Sequence, residues 1–286
     1  MLESAPAMPA AAIIAILAVV SGAGCGLLFV VALLVAGGLV APGMGPGPVG
    51  AALAIALTVA GLPALASRFD GRDRGCRTPR GLRSRLGRGG AIAVLGFGSA
   101  GLLAWLVFLD DARPTVQTIL GIASAAGAAA TVAAIAMRHR SALPMPARLG
   151  RFLASGYLVI AAATGLLLAQ AVLAAFDAGG DALRLVGFGA IVALAAAMRV
   201  KLAYWSVLDR ALTSSNAPNG ADGDRVASRP AVAARRIVLA GMFVPAALTL
   251  LGLMSPSLMS VAAVLAALLG LAGAVLERRL LFAELA

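Results

Sequence analysis

Charge is what this chain has least of. Only 12% of its 286 residues are Asp, Glu, Lys or Arg, against roughly 25% in water-soluble domains. That excludes a soluble globule. Histidine is scarcer still: His139 stands alone in the basic stretch MRHRS. A membrane cytochrome that ligates haem through paired histidines is therefore not expected, and neither is a metal centre. The two cysteines, Cys25 and Cys76, fall in an apolar run and a basic loop and form no CxxC or other ligand spacing. No disulfide is expected between them. Ten-residue segments of alternating hydropathy are also missing, which excludes a membrane β-barrel.

What the chain does have is apolar length. Hydrophobic residues make up 61% and the mean hydropathy is +0.99. A helix needs about 20 apolar residues to cross a hydrocarbon core, and eight runs reach that range. They cover 9–37, 47–67, 90–109, 114–136, 152–176, 183–200, 237–254 and 257–276. In lipid these runs must be helical, because an unpaired backbone is too costly there. The expected fold is thus all-α, a single polytopic bundle of about eight transmembrane helices. The first run exceeds one simple span, so its helix is tilted or its end at Gly37-Gly38 leaves the membrane. A cleaved signal peptide is the rival reading of that run. Its flank argues otherwise, since Met1 to Ala12 contain no Lys or Arg and include Glu3. Ser255-Pro256-Ser257 between the last two runs reads as a tight helical hairpin.

Basic residues are partitioned. Eight spans put the termini and the loops 68–89, 137–151 and 201–236 on one face, and 21 of the 23 Lys and Arg fall there; only Arg113 and Arg184 do not. By the positive-inside rule both termini are expected in the cytoplasm, in a bacterial inner membrane. The net charge of +11 then reflects topology, contact with anionic lipid and an acidic cytoplasmic partner, and nucleic acid is not called for.

No central Asp, Glu, Lys, Arg or His interrupts the eight runs. This argues against an ion-coupled carrier, which retains such groups for its work. Gln117, Gln170 and Tyr157 are among the few polar residues within them and are expected to bond between helices. The stretches SGAGCG at 21–26, GIASAAGAAA at 121–130 and LLGLAGAV at 268–275 offer small residues for close helix approach.

The stretch KLAYWSVLDRA at 201–211 closes the sixth run. Tyr204 and Trp205 suit the interfacial aromatic belt, and Lys201 and Arg210 can reach headgroups. The residue types fit that account, but their order is not explained by it. Three stretches taken together resemble the membrane anchor subunit of dimethyl sulfoxide reductase and related molybdopterin oxidoreductases, the DmsC-type family. They are VVSGAGCGLLFVVAL in the first run, the Lys-x-x-Tyr-Trp-x-x-x-Asp-Arg-Ala pattern at 201–211, and ERRLLFAELA at the end.

The resemblance implies an anchor that binds no cofactor of its own. It would hold an iron–sulfur subunit and a molybdopterin catalytic subunit at the membrane and bind a quinol, menaquinol included, whose electrons pass to the nearest cluster. Members usually carry His-Leu-Gly-x-Pro-x-Arg-Ala-Trp-Arg after the second span, where this chain has RFDGRDRGCR. Arg74 and Arg77 match the two arginines, Arg68 stands for the histidine, Arg72 for the proline and Cys76 for the tryptophan. An arginine cannot serve as a base at accessible pH, so anchoring survives the comparison better than quinol oxidation. The candidate residues for quinol binding or docking are Arg68, Arg74, Arg77, Lys201, Tyr204, Trp205, Asp209, Arg210, Glu277 and Arg278. A small-molecule carrier of the inner membrane and a scaffold without electron transfer are the alternatives.

Overall fold

A computed structural model describes residues 7–39, 98, 100–104, 106, 114–142, 147–176, 180–215 and 229–285. Six long helices run through it: α1 (Ala7–Ala36), α2 (Pro114–Ala142), α3 (Ala147–Ala175), α4 (Gly180–Ser215), α5 (Arg229–Met254) and α6 (Met259–Leu285). Each contains a segment long and apolar enough to cross a membrane. Among the described residues there is no strand. Apolar side chains also face outward, with Val192 68%, Phe243 64% and Ile119 61% exposed. Such a surface is unfavourable in water and suited to lipid.

The expected runs at 47–67 and, for the most part, 90–109 lie outside the described residues. Of the latter, Ala100 and Leu103 are fully buried, and Leu103 packs with Ala32 of α1 and Ala125 of α2. The chain turns at Gly38, whose φ of +65° favours glycine. There the Leu39 N–H reaches back to the Leu34 carbonyl and closes the last turn of α1.

Helix α3 sits at the centre and packs on α1, α2, α4 and α6. Its tightest neighbour is α1. A β-carbon on Gly26 would overlap the Ala161 carbonyl, and one on Gly165 would lie 2.5 Å from the Gly26 oxygen. The two backbones meet because neither residue has a side chain, the close approach that small residues permit in membranes. Helices α5 and α6 form a hairpin through the 3₁₀ turn Pro256–Leu258, as the Ser-Pro-Ser sequence foretold. Pro245 interrupts α5 and leaves the Gly241 carbonyl without its usual N–H donor. Gly273 of α6 packs against that carbonyl, and a β-carbon there would stand 2.6 Å from the oxygen. A glycine Cα–H can approach such an oxygen and a larger residue cannot.

Directions follow from the contacts. Thr118 Oγ1 donates to the Ala36 carbonyl at 3.1 Å, so the end of α1 meets the start of α2 and the two are antiparallel. Ser260 Oγ donates to the Ala174 carbonyl at 3.1 Å, which sets α6 antiparallel to α3. As a result Arg138, Arg140, Arg148, Arg151 and every later Lys and Arg described, Arg184 excepted, lie at one end of the bundle.

The helices outlast the expected spans. Residues 201–215 and 229–236, expected as loop, continue α4 and begin α5, and α2 and α3 likewise extend into 137–151. Charged residues do not end a helix when they find partners on a neighbouring one, as Lys201 does with Glu277 and Asp209 with Arg235.

Candidate functional site

Lys201, Tyr204, Trp205 and Leu208 are all buried. They are spaced i, i+3, i+4 and i+7, which is one helical face. That face of α4 turns inward. Leu202, Ser206, Asp209 and Arg210 occupy the exposed positions between them. The order of KLAYWSVLDRA is thus that of an amphipathic helix with its charged and aromatic groups partly on the inner side. The aromatic belt expected of Tyr204 and Trp205 is not found: they are 2% and 5% exposed. Lys201, expected to reach headgroups, is 6% exposed and points into the bundle.

What turns Lys201 inward is Glu277 of α6, whose Oε1 accepts its ammonium in an ion pair. Arg278 Nε stands 3.3 Å from the other carboxylate oxygen. The Arg278 guanidinium lies 3.3 Å from the ring centre of Tyr157 of α3, and the Lys201 ammonium lies 4.9 Å from that of Tyr204. Both tyrosines of the chain therefore meet one charge cluster, each offering its negative ring face to a cation. A second, wetter pair adjoins it. Arg235 of α5 donates from Nη1 to both Asp209 oxygens at 3.0 Å and lies 5.4 Å from the Trp205 ring centre.

The sequence-derived candidates thus divide. Lys201, Tyr204, Glu277 and Arg278 converge; Trp205 and Asp209 adjoin them through Arg235; Arg210 is exposed. Arg68, Arg74 and Arg77 lie outside the described residues. Tyr157 and Arg235 were not among the candidates. The scarcity of tyrosine was the available signal for the first. Arg235 gave none, being one basic residue among many.

Two small cavities flank Arg278, each of about 10 Å³. One is bounded by Lys201, Tyr204 and Glu277 and the other by Tyr157 and Thr164 among apolar neighbours. A larger apolar cavity of about 320 Å³ adjoins the second through Val132 and Ala161 and is lined by Cys25, Gly26, Phe29 and Ala128 among others. Among the described residues no three His, Cys, Asp or Glu side chains gather as they would for a metal ion. At the far end of the bundle, the Gln170 amide and the Thr249 hydroxyl are buried without a hydrogen-bond partner among the described residues. The Gln170 amide nitrogen stands 3.1 Å from where a Gly187 β-carbon would be.

Six apolar helices around a buried charge cluster define a multi-pass α-helical membrane protein. Comparison with protein-family models, curated proteins and solved structures gave no match.

Proposed function

We propose that this chain is the membrane anchor subunit of a molybdopterin oxidoreductase of the DmsC type. In this reading it tethers iron–sulfur and catalytic subunits to the bacterial inner membrane and passes electrons to them from a quinol. The observation that supports the reading is a convergence. Two of the three segments that carry the resemblance, 201–211 and 277–286, are far apart in sequence, yet they meet through Lys201 and Glu277. They do so at the end of the bundle where the basic residues gather, the face on which an acidic extrinsic subunit would be steered to dock. Purification of the full chain in mild detergent tests this. Iron–sulfur and molybdenum-containing polypeptides should co-purify and be released as salt rises. Their absence from correctly inserted, undissociated protein would overturn the anchor reading.

One observation favours a second reading. Lys201, Glu277 and Arg278 are ionisable groups buried within membrane-spanning helices, and such groups mark ion or substrate pathways in carriers. Solute uptake by proteoliposomes, lost in Glu277→Gln, would favour a carrier over an anchor.

A further inference from the structure

The cavity of about 320 Å³ is floored by Cys25, Gly26 and Phe29 of α1 and walled by α2 and α3, with Ala193 of α4 at one edge. It has room for roughly 20–30 water-sized spheres. Water does not suit it, because the Cys25 thiol is the one lining side chain with any polar character, and a thiol is a weak donor. The same walls offer nothing to a quinol ring, whose oxygens need hydrogen-bond partners. They gain only from apolar atoms packed against them. The space is also open on one side. Leu158 of α3 is exposed at its rim and Ala129, Val159 and Ala162 are half-buried, so it communicates with the surrounding lipid between α2 and α3.

The two helices that wall it are strongly basic at one end. Arg138 and Arg140 lie near the end of α2, Arg148 and Arg151 lie near the start of α3, and residues 137–151 include no Asp or Glu. Val132 lies six residues before Arg138, and Ala162 lies eleven after Arg151. At 1.5 Å per residue the cavity therefore extends from about 9 to about 16 Å inside the level of those arginines. The headgroup layer on each side of a hydrocarbon core is about 5–8 Å deep. A phosphate held at the arginines thus sets its first methylenes just above the cavity and the rest of the chain alongside it. Charge selects the headgroup, since a basic end attracts a lipid with net negative charge more than a zwitterionic one.

We infer that this cavity is a binding site for one acyl chain of an anionic phospholipid, taken from the leaflet at the basic end of the bundle, whose phosphate is drawn to the arginines of α2 and α3. The chain would fill the space between those helices over α1 and fix their spacing. This role does not depend on the anchor reading.

The test uses the full chain in phosphatidylcholine nanodiscs that contain a rising fraction of phosphatidylglycerol with a diazirine in mid-chain. After illumination, adducts located by mass spectrometry should concentrate on Ala129, Leu158, Val159 and Ala162. Labelling there should saturate at one lipid per chain, and excess unlabelled phosphatidylglycerol should displace it. Phosphatidylcholine with the same diazirine chain should label these positions weakly. Exposed Phe243 and Val261, on α5 and α6, should instead label in proportion to the lipid supplied, without saturation. In the double variant Arg148→Gln, Arg151→Gln, the fraction needed for half-saturation should rise about fivefold for each arginine removed. Ala162→Phe should fill the space and abolish labelling of Leu158 and Ala129; if that variant fails to fold, saturation in the wild type and the shift in the arginine variant still decide. Adducts spread evenly over the lipid-facing surface, labelling that does not saturate, or equal labelling by the two headgroups would overturn the site. Displacement by menaquinone but not by phosphatidylglycerol would overturn it in favour of a quinone.

Discussion

Neutralising Lys201 and neutralising Glu277 should not cost the same. Removing one partner of a buried ion pair typically costs about 3–5 kcal/mol, because the other charge is left uncompensated. Here the carboxylate has two cations, one of them Arg278 Nε at 3.3 Å. Lys201→Met leaves Glu277 facing Arg278 as a neutral pair, so the loss should be smaller, about 1–3 kcal/mol, the range of one hydrogen bond to a charged group. Glu277→Gln leaves Lys201 and Arg278 together in a site almost closed to solvent and should cost the full 3–5 kcal/mol or so. The double variant returns the cluster to a single surplus cation, so its loss should fall well short of the sum of the two. Reversible unfolding in mixed micelles measures all four corners of the cycle. Equal losses for the two single variants, or simple additivity in the double, would refute the account of Glu277 as the shared counter-ion.

Three further outcomes follow from features elsewhere in the bundle. Gly273→Ala would bring a β-carbon within 2.6 Å of the Gly241 carbonyl and should separate α5 from α6 at a cost of about 1–3 kcal/mol, read from the same unfolding assay. Gln170→Leu removes a buried amide that has no partner among the described residues; it should leave stability unchanged or raise it by about 1–3 kcal/mol, and a marked loss would show that the amide is in use. Reporter fusions after Ala286 and within 216–224 should both behave as cytoplasmic, because the basic residues gather at that end.

Hydropathy located the six helices well, since a run with no charge has few alternatives in lipid. It placed their ends badly for one reason: a sequence window treats a charged residue as seeking water. Lys201 read as the start of a loop because its counter-ion, Glu277, belongs to another helix, and no local pattern announces that pairing. The ordering within KLAYWSVLDRA held the clue. Its charged and aromatic residues at 201, 204 and 205 repeat at the helical period, so they could share one inward face. Tyr157 was legible only as an uncommon residue in an apolar run. The small residues at 21–26 signalled close packing for α1, but its partner Gly165 of α3 lies outside the stretches singled out, and which glycine meets which depends on the relative offset of two helices.

The order of synthesis gives the Lys201–Glu277 pair a further consequence. A ribosome at about 5–20 residues per second takes roughly 4–15 s to travel from codon 201 to codon 277. Throughout that interval α4 has emerged with a lysine on its inner face and no carboxylate to receive it. The hairpin of α5 and α6 then arrives as a pair joined by a three-residue turn and delivers Glu277. Until that moment Lys201 lacks its counter-ion, and a chain cut short before α6 never gains it.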